Sequence, residues 1–579
     1  MARVSDPILF LVPARAGSRR VPGKNLRPLA GIPLVGWAVR AARLAGLGIE
    51  GGPHVVCCST DSPEIAAAAL QWGADGVIER PAELATDGAT SLDVALHALS
   101  TLEAGGARFR ALVLVQPTSP LTDPADLRAA VARFDAGAAS VVSVTPSHPA
   151  AWHMASDGVE ATLRSSAGDA NLLLTGAFYV VDPGSLRRDR RFVVDGATVG
   201  QIVLADRSPD IDEEHDLVLA HGILDARPSR PVPLGSRTIG VGPVLTIAEV
   251  GVNHNGSVEH AHRLVDAVAD AGADVVKFQT FDPHALAAAE APTAEYQRTS
   301  AGASEGQRAM LERLALPPEA WASLKAHATD RGLTFLSTPF DDGSAALLDA
   351  LDVPAFKLGS GELTNLPFLE RCARFGRPLL VSTGMADMVE VAAAVDAIAG
   401  AGNPPLALLH CVSSYPATPN DANLRAIGTM RRAFGVPVGW SDHTEGLELP
   451  MAAVVAGATI VEKHVTLDRD LPGPDHRASL EPGQLTAMIE GIRTIEAALG
   501  SGVKEPVAAE RPIAAVARRS LHWRRGLAAG SVVTEDDLIA LRPGTGISPA
   551  RQRAIVGSVT RRPVDAGAPV AAADVEGSE

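Results

Sequence analysis

The sequence predicts an α/β protein with an N-terminal doubly wound, Rossmann-like domain, a central (β/α)8 TIM barrel and a small C-terminal β-rich module. Apolar runs that read as buried strands alternate with helix-like segments in two successive series, and the second series has eight repeats. Short apolar runs with glycine-rich turns predict the third part. Two aperiodic segments read as linkers, which places domains at 1–228, 244–500 and 515–579 and linkers at 229–243 and 501–514.

Composition excludes several classes of protein. The chain has 579 residues, of which 46% are hydrophobic and 20% are charged, so it can form large cores and is not disordered. A formal net charge of −16 argues against general binding to nucleic acid or to an anionic membrane. No apolar stretch is long enough to cross a bilayer. Four cysteines without CxxC spacing predict free thiols, and we expect a cytoplasmic protein.

The first domain shows six buried apolar runs with helix-like segments between them. They predict strands at 8–12, 54–60, 76–80, 111–120, 140–145 and 177–181. In a doubly wound sheet, ligands bind beyond the carboxyl ends of the strands. Arg80 and Gln116 fall at such ends.

A basic loop follows the first strand. Gly17 and Gly23 let backbone amides approach a ligand closely, and the loop is not a Walker A sequence. Its four cations are Arg15, Arg19, Arg20 and Lys24. This pattern favours a cradle for a nucleoside triphosphate, and the alternative is a solvated basic loop.

Two carboxylates lie two residues apart near the end of this domain. Asp210 and Asp212 fall on one side of an extended segment, where they could hold Mg²⁺ against phosphate oxygens. An acidic helix start is an equally good interpretation of these two residues alone.

The second series predicts the barrel. Its eight strands are expected at 245–250, 275–280, 334–339, 355–360, 379–384, 406–411, 437–442 and 459–464. Residues at the carboxyl ends of barrel strands face the active site. Polar side chains at these ends are therefore the candidate site residues.

Two histidines end the last two predicted strands. His443 and His464 could share one divalent metal, with Glu462 and Asp475 nearby. Either histidine alone would more simply be structural, but two on successive strand ends favour a metal site.

Two lysines interrupt strands that are otherwise apolar. A buried lysine without a partner is unfavourable, so Lys277 and Lys357 predict an anionic substrate such as a phosphate or carboxylate. A Schiff base is the alternative, which the predicted metal ligands make less favoured. Glu249 ends the first barrel strand.

Four motifs in the first domain resemble the cytidylyltransferases that make CMP-sialic acids. They are VPARAGSRRVPGKN, ERPAELATD (79–87), QPTSPL (116–121) and PDID (209–212). The resemblance implies a nucleotidyltransferase in which Arg15 and Lys24 hold the phosphates of CTP. It also implies that Asn25, Arg80 and Gln116 shape the nucleotide and sugar sites, and that Asp210 and Asp212 bind Mg²⁺. Arg20, in place of a usual glycine, and Thr175, in place of a common asparagine, depart from the family.

Motifs along the whole barrel resemble sialic acid synthases, which condense phosphoenolpyruvate with an N-acylated amino-sugar aldehyde. They include EVGVNHNGS, KFQT, KLGSGE, STGM, HCVSSYP, SDHT, EKH and PGPDH. The resemblance implies that His443 and His464 bind Mn²⁺ or Mg²⁺. It further implies catalytic or substrate-binding roles for a set of mouth residues: Glu249, Asn253, Lys277, Lys357, Ser360, Glu362, Ser382, Ser413, Tyr415 and Asp475. Ser413 stands where N-acetylneuraminate synthases often carry asparagine, and Lys463 replaces a frequent arginine. Both residues resemble the branch of the family that makes legionaminic acid from 2,4-diacetamido-trideoxy sugars.

The C-terminal segment resembles the SAF, or antifreeze-like, domain of the same synthases. In that family the domain caps the barrel of a partner subunit, which implies a homodimer or a higher homo-oligomer. Arg542 in LRPGTG matches the arginine that reaches the acyl group of the sugar.

Together these features predict a fused enzyme that makes a nine-carbon α-keto sugar acid and then activates it with CTP. The alternatives are that one half is inactive, that the halves serve different sugars, or that the chain is a non-catalytic sugar-binding scaffold for surface-polysaccharide assembly. No nucleic-acid or membrane partner is expected.

Overall fold

A computed structural model describes residues 6–49, 52–147, 151–155, 158–162, 171–194, 196–292 and 306–576. The chain forms two compact units, 1–498 and 499–579. The first unit holds both α/β parts. Within the described ranges, no helix is both long and apolar enough to cross a membrane.

A seven-stranded mixed sheet forms the N-terminal part. Its strands, in order across the sheet, are Thr198–Ile202, Ser140–Ser147, Asn171–Val181, Ala111–Val115, Ile8–Pro13, His54–Thr60 and Gly76–Glu79. Asn171–Val181 runs antiparallel to both neighbours, and the other recorded pairings are parallel. The predicted doubly wound fold is confirmed.

Helices cover both faces of this sheet. They are Leu34–Leu47, Pro63–Gln71, Ser91–Ala104, Pro124–Asp135, Pro183–Asp189 and Glu214–Ala226. Local sequence sets their starts. For example, Ser62 Oγ accepts a hydrogen bond from the Ile65 amide at 3.2 Å, and Pro63 supplies a fixed φ at the first helical position.

Some strands of this part were not predicted. The edge strand Thr198–Ile202 contains a glycine and a glutamine, and its Val199 and Ile202 are partly exposed, so it lacks a buried apolar run. The hairpins Pro28–Leu29 with Ile32–Pro33 and Ala151–Ala155 with Gly158–Thr162 are also additions.

An eight-stranded parallel barrel follows. Its strands, in order around the barrel, are Thr334–Pro339, Val275–Thr280, Leu245–Gly251, Ile460–His464, Val438–Asp442, Leu406–Cys411, Leu379–Ser382 and Phe356–Leu358. The first and last strands of this order contact each other, so the barrel is nearly closed. The predicted strand at 355–360 ends early, and a 3-10 turn, Ser360–Glu362, takes its place.

Helices surround the barrel. They are Val258–Asp270, Pro283–Leu286, Gln307–Leu314, Ala320–Asp330, Asp342–Ala350, Leu366–Arg374, Met388–Gly400, Arg425–Phe434, Glu448–Val455 and Pro482–Leu499. Their apolar faces and the strands form one continuous core.

The segment predicted to be an unstructured linker, 229–243, contains a β-hairpin. Its strands are Val232–Leu234 and Arg237–Ile239. Their buried side chains pack with Leu245 and Ile247 at the amino-terminal end of the barrel. Strands of three residues are too short to show a period, which is why the sequence reads as a linker.

A buried ion pair joins the N-terminal part to the barrel. Arg40 donates to both carboxylate oxygens of Asp396, at 2.6 and 3.1 Å, and its guanidinium lies 5.3 Å from the centre of the Phe434 ring. Around this pair, apolar side chains of Leu34–Leu47 pack against the barrel helix Met388–Gly400.

The C-terminal unit is small and contains the antiparallel pair Ser520–Trp523 and Leu538–Leu541. Its helices are Glu510–Ala517 and Gln552–Ile555. The first of these begins inside the linker predicted at 501–514, so that linker is partly helical. The core contains Leu521, Trp523, Val533, Leu538, Ile555, Val564, Val570 and Val575.

Candidate active sites

Charged side chains alternate in sign at the mouth of the barrel. Lys277 Nζ lies 2.5 Å from Glu249 Oε2 and 3.7 Å from Glu462 Oε2. Lys357 Nζ lies 3.4 Å from Glu462 Oε1. Glu462 also accepts a hydrogen bond from Ser441 Oγ at 2.8 Å. All four ionisable groups are buried, so two carboxylates compensate two ammonium groups where water is scarce.

The pKa values in this cluster move in different directions. Burial opposes ionisation of Glu462, but Lys277 and Lys357 outweigh it and lower its pKa to about 2. Burial raises the pKa of Glu249, although Lys277 acts against this shift. Burial lowers the pKa of Lys357, whereas the two carboxylates raise that of Lys277 despite its burial. One acid is therefore held ionised, and the other can exchange a proton more readily.

Two imidazoles and a phenol stand beside this cluster. The ring centres of His443 and His464 are 5.6 Å apart, and the Tyr415 ring centre lies 4.2 Å from the first and 5.9 Å from the second. Burial lowers the pKa of both histidines, so each is neutral near pH 7. Neutral imidazole is the form that binds a metal ion.

The donor atoms of the two histidines fit a divalent ion. His443 Nδ1 donates to the Val412 carbonyl at 2.8 Å, which leaves the lone pair of Nε2 free. His464 Nδ1 is buried and finds no hydrogen-bond partner among the described residues. The described residues contain no group of three or more His, Cys, Asp or Glu side chains that could hold a metal on its own. A metal here would need further ligands from substrate or water.

Asp475 is buried near Glu249. Burial and the nearby Glu249 charge raise its pKa to about 7. Its backbone carbonyl accepts a hydrogen bond from Ser479 Oγ at 2.6 Å, and Asn253 Nδ2 donates to the same hydroxyl at 2.8 Å. Asn253 also donates to the Val465 carbonyl at 2.8 Å, so its amide holds the loop that carries Asp475.

Hydroxyl groups line another part of the mouth. Ser360 Oγ accepts from the Gly384 amide at 3.0 Å and lies 3.1 Å from Cys411 Sγ. A Cβ added at Gly384 would come within 2.2 Å of Ser413 Oγ, so only glycine fits between these serines. Ser382 Oγ is buried without a hydrogen-bond partner in the described part of the chain. Glu362 accepts from Asn365 Nδ2 at 2.8 Å on the adjoining turn.

The basic loop of the N-terminal part lines a pocket of about 230 Å³ at the carboxyl ends of the strands. The structure brings together in its wall Arg15, Lys24, Asn25, Arg80 and Gln116. Arg80 donates to the Ser59 carbonyl at 2.6 Å, and Asn25 Nδ2 donates to the Arg15 carbonyl at 2.9 Å. Gln116 Nε2 donates to Ser91 Oγ at 3.0 Å.

Two carboxylates each pair with two of the four cations of this loop and offset part of its positive charge. Asp87 lies 2.6 Å from Arg15 Nη2 and 3.1 Å from Arg19 Nε. Asp212 lies 3.1 Å from both Lys24 Nζ and Arg20 Nη1. Arg20, which departs from the family pattern, thus contacts a predicted Mg²⁺ ligand.

Asp210 completes the predicted pair of Mg²⁺ ligands. Desolvation by the surrounding protein raises the pKa of the Asp210 carboxyl group, and the charge of Asp212 adds to the shift. Mutual repulsion between two carboxylates fits a site for a divalent cation. Both side chains flank the buried Ile211.

Arg542 lies in the C-terminal unit, next to a cis peptide bond with Pro543. Its side chain is exposed.

Sequence reasoning missed several contacts of these sites. Gln279 donates to Glu249 Oε1 at 3.0 Å, and its position two residues after Lys277 on the same strand was the available signal. Asp87 ends the motif ERPAELATD, but the resemblance of that motif to the cytidylyltransferases did not assign it a role. Glu462 was expected near the histidines, and it also bridges the two lysines.

Three family models match the chain. The NeuB family matches residues 264–504, the cytidylyltransferase family matches 9–176 and the SAF domain matches 518–576.

Curated relatives match the barrel and the C-terminal unit. The N,N'-diacetyllegionaminic acid synthase of Legionella pneumophila is 45% identical over 325 residues, which are 55% of this chain and 91% of that protein. The synthase of the same name from Campylobacter jejuni is 40% identical over 320 residues, 55% of this chain and 96% of that protein. A solved N-acetylneuraminic acid synthetase from Leptospira borgpetersenii, in complex with citrate, is 35% identical and covers 49% of this chain and 95% of its own, with a TM-score of 0.44. The chain therefore belongs to the NeuB family, with a cytidylyltransferase domain fused before the synthase and a SAF domain after it.

Proposed function

We propose that this chain is a bifunctional enzyme of nonulosonic acid biosynthesis. Its barrel condenses phosphoenolpyruvate with an N-acylated amino sugar, and its N-terminal part transfers CMP from CTP to the resulting acid. The observation that carries the proposal is the buried set of Lys277, Lys357, Glu249 and Glu462 beside the two histidines of the barrel mouth. A sugar-binding scaffold has no need of compensated buried charges at this position.

In the synthase site, Lys277 and Lys357 would bind the anionic groups of phosphoenolpyruvate. Both ammonium groups already lie in a water-poor site, so the attraction is strong and their reorganisation is small. Ser360, Ser382 and Ser413 would donate hydrogen bonds to the substrate.

The sugar would lie nearer the histidines. His443 and His464 would hold the divalent ion, Mn²⁺ or Mg²⁺, which when bound polarises the aldehyde of the open-chain sugar. The Tyr415 ring contacts both imidazoles, tilted to that of His443 and edge-on to that of His464, and would orient that end of the sugar. Asn253, Glu362 and Asp475 would bind sugar hydroxyl groups or hold the residues that do.

The C=C π electrons of phosphoenolpyruvate then form the new bond from carbon 3 to the aldehyde carbon, and the aldehyde C=O becomes a hydroxyl group as its oxygen takes up a proton from water. Water adds at carbon 2, and the C–O bond to phosphate breaks to leave the keto acid. Glu249 would accept the proton of the attacking water, since burial raises its pKa above the usual range of a carboxyl group and makes its carboxylate a stronger base.

In the transferase site, Arg15 and Lys24 would bind the phosphates of CTP. Asn25, Arg80 and Gln116 would hold the nucleotide and sugar, and Asp210 and Asp212 would hold Mg²⁺. The anomeric hydroxyl of the sugar acid attacks the α-phosphorus, and pyrophosphate leaves as the P–O bond breaks. The cationic loop stabilises the charge that accumulates on the leaving group.

For the sugar, we propose the 2,4-diacetamido-trideoxy class that leads to legionaminic acid. The names of the two curated relatives and the residues Ser413 and Lys463 support this choice. We further propose a cytoplasmic homo-oligomer in which the SAF domain, with Arg542, caps the barrel of a partner subunit.

Mass spectrometry of the products tests the proposal. The full chain is incubated with phosphoenolpyruvate, CTP, Mg²⁺ and Mn²⁺, and with either N-acetylmannosamine or its 2,4-diacetamido-trideoxy analogue. A CMP-linked acid formed from the second sugar supports both halves and the sugar class. A free sugar acid without CMP removes the transferase assignment, and no product from either sugar overturns the proposal.

A further inference from the structure

The opposite face of the last barrel strand carries an ion pair that the proposed chemistry does not use. Lys463 stands between Glu462 and His464, and side chains alternate along a strand, so Lys463 points away from both. Its register partner on the neighbouring strand is Asp442, with which it forms an ion pair. Both side chains are 0% exposed. Lys463 therefore has no access to a substrate in the barrel mouth.

This pair fixes the backbone on both sides of His443. The Thr444 amide and hydroxyl donate to Asp442 Oδ1, at 3.1 and 2.8 Å. Lys463 Nζ donates to the Asp442 carboxylate and, at 2.5 Å, to the Thr444 carbonyl. The two residues that flank His443 are thus tied to one ammonium group, which belongs to the strand that carries His464.

The neighbouring contacts leave His443 little freedom. Its carbonyl accepts a hydrogen bond from the Ala417 amide at 2.8 Å, and its ring is anchored on the Val412 carbonyl. Lys463 adds a buried side-chain link between this turn and the His464 strand, beside the backbone pairing of the two strands and the Ser441–Glu462 hydrogen bond. Loss of that link would let the two imidazoles move apart.

Stability alone does not explain a charged pair at this place. Desolvation of two fully buried charges offsets much of their attraction, and hydrophobic side chains of similar volume often stabilise a fold as well or better. A hydrophobic pair would not tie the Thr444 carbonyl to the adjacent strand. The ion pair therefore fixes the backbone of the turn that carries His443.

We propose that Lys463 is a positioning residue of the synthase site, which acts through Asp442 and Thr444 to hold His443 at the distance from His464 that a shared divalent ion requires. The proposal rests on the proposed assignment of these histidines as metal ligands. It adds a residue outside the barrel mouth to the determinants of metal affinity.

Binding of Mn²⁺ to the full chain without CTP, whose phosphate oxygens would complete the transferase metal site, tests this role and is followed by the electron paramagnetic resonance signal of free Mn²⁺. Lys463→Met keeps the length of the side chain and removes the ammonium group. We expect its Kd for Mn²⁺ to rise about 10- to 100-fold, the usual effect of losing an outer partner of a metal ligand. Synthase activity should return at high Mn²⁺ concentration, with the KM for phosphoenolpyruvate unchanged. Lys463→Arg keeps the charge and should stay within about threefold of the wild-type Kd.

Two further variants make the result decisive. Asp442→Asn keeps the size of the side chain and the oxygen that accepts the hydrogen bonds from Thr444. It replaces Lys463→Met in the test if that variant does not fold, and its Kd for Mn²⁺ should rise about 10-fold. Pyrophosphate release by the transferase half reports folding in each case. Wild-type Mn²⁺ affinity in folded Lys463→Met or Asp442→Asn overturns the positioning role. Wild-type affinity in His464→Ala instead removes the metal assignment itself.

Discussion

The barrel mouth and the basic loop of the transferase pocket collect positive charge in opposite ways. In the mouth, the side chains of Lys277 and Lys357 are only 3% and 4% exposed, and each lies beside a buried carboxylate. In the loop, Arg19 and Arg20 are 86% and 67% exposed and pair with Asp87 and Asp212 at the surface, whereas Arg15 and Lys24 are 30% and 13% exposed. Both regions are proposed to bind phosphate groups.

The difference teaches that similar ligands can be held by a preorganised site or by an adaptable one. Buried charges interact strongly because the local dielectric is low, but they must be compensated and cannot move far. Exposed charges are screened by solvent and salt, and they exchange partners at little cost. The mouth should therefore fail sharply when one group is removed, whereas the loop should respond gradually.

The largest expected effect separates the two halves. His464→Ala should lower the synthase rate more than about 100-fold, since losing even an outer partner of a metal ligand costs 10- to 100-fold. Pyrophosphate release from CTP with added sugar acid should keep its wild-type rate. Phosphate release and pyrophosphate release are measured separately on the same preparation. Wild-type phosphate release in this variant would show that the histidine is not needed.

A substitution in the transferase half should give the converse result. Asp212→Ala should lower the CMP-transfer rate by about 100-fold, because the variant loses a carboxylate that is proposed to hold Mg²⁺ and that pairs with Lys24. Condensation in the barrel should be unaffected. Asp206→Ala, a change at another surface aspartate of the same domain, is the matched control. Equal losses in both variants would contradict a specific role for Asp212.

Sequence periodicity predicted the buried parts best. The strands Val275–Thr280, Thr334–Pro339 and Leu406–Cys411 were predicted with their observed bounds, because both faces of each strand are buried and carry apolar residues. The short hairpin at the amino-terminal end of the barrel was missed because strands of three residues show no period, and the edge strand Thr198–Ile202 was missed because it lacks a buried apolar run.

For the site residues, the sequence predicted the place of each side chain in the fold but not its ion-pair partners. The strand-end rule placed Lys277 and Lys357 at one mouth. That both lysines share Glu462, or that Asp87 engages Arg15, depends on register and loop path, which no local pattern encodes. The ion pair of Lys463 with Asp442 likewise follows from cross-strand register.

Burial in the mouth should also appear as a pH-dependent stability. The Asp475 pKa is raised to about 7, so between its ordinary value and 7 the folded state holds a proton that the unfolded state has lost. Folding is therefore opposed increasingly as pH rises through this range. Asp475→Asn should stabilise the substrate-free chain by about 2–4 kcal/mol near pH 8 and by little near pH 4.

Thermal unfolding at both pH values measures this effect. Asp470→Asn, at an exposed position of the same loop, is the control and should change neither melting temperature. A stabilisation by Asp475→Asn that is equal at both pH values would contradict a raised pKa.

Salt gives the smallest expected effect and tests the comparison most directly. Raising NaCl from about 0.05 to about 0.5 M shortens the Debye length several-fold, so exposed charges lose much of their reach. The KM for CTP should rise about threefold to tenfold, because Arg19 and Arg20 of the loop are open to solvent and salt screens their attraction for the anionic nucleotide. The KM for phosphoenolpyruvate should change less than about twofold, since Lys277 and Lys357 are buried.

Arg19→Gln should weaken the salt dependence of the KM for CTP. Arg331→Gln, a change at the end of an exposed barrel helix, is the control and should leave that salt dependence unchanged. An equal rise in both KM values would mean that the mouth opens to solvent during turnover, and the contrast between a preorganised and an adaptable site would then fail.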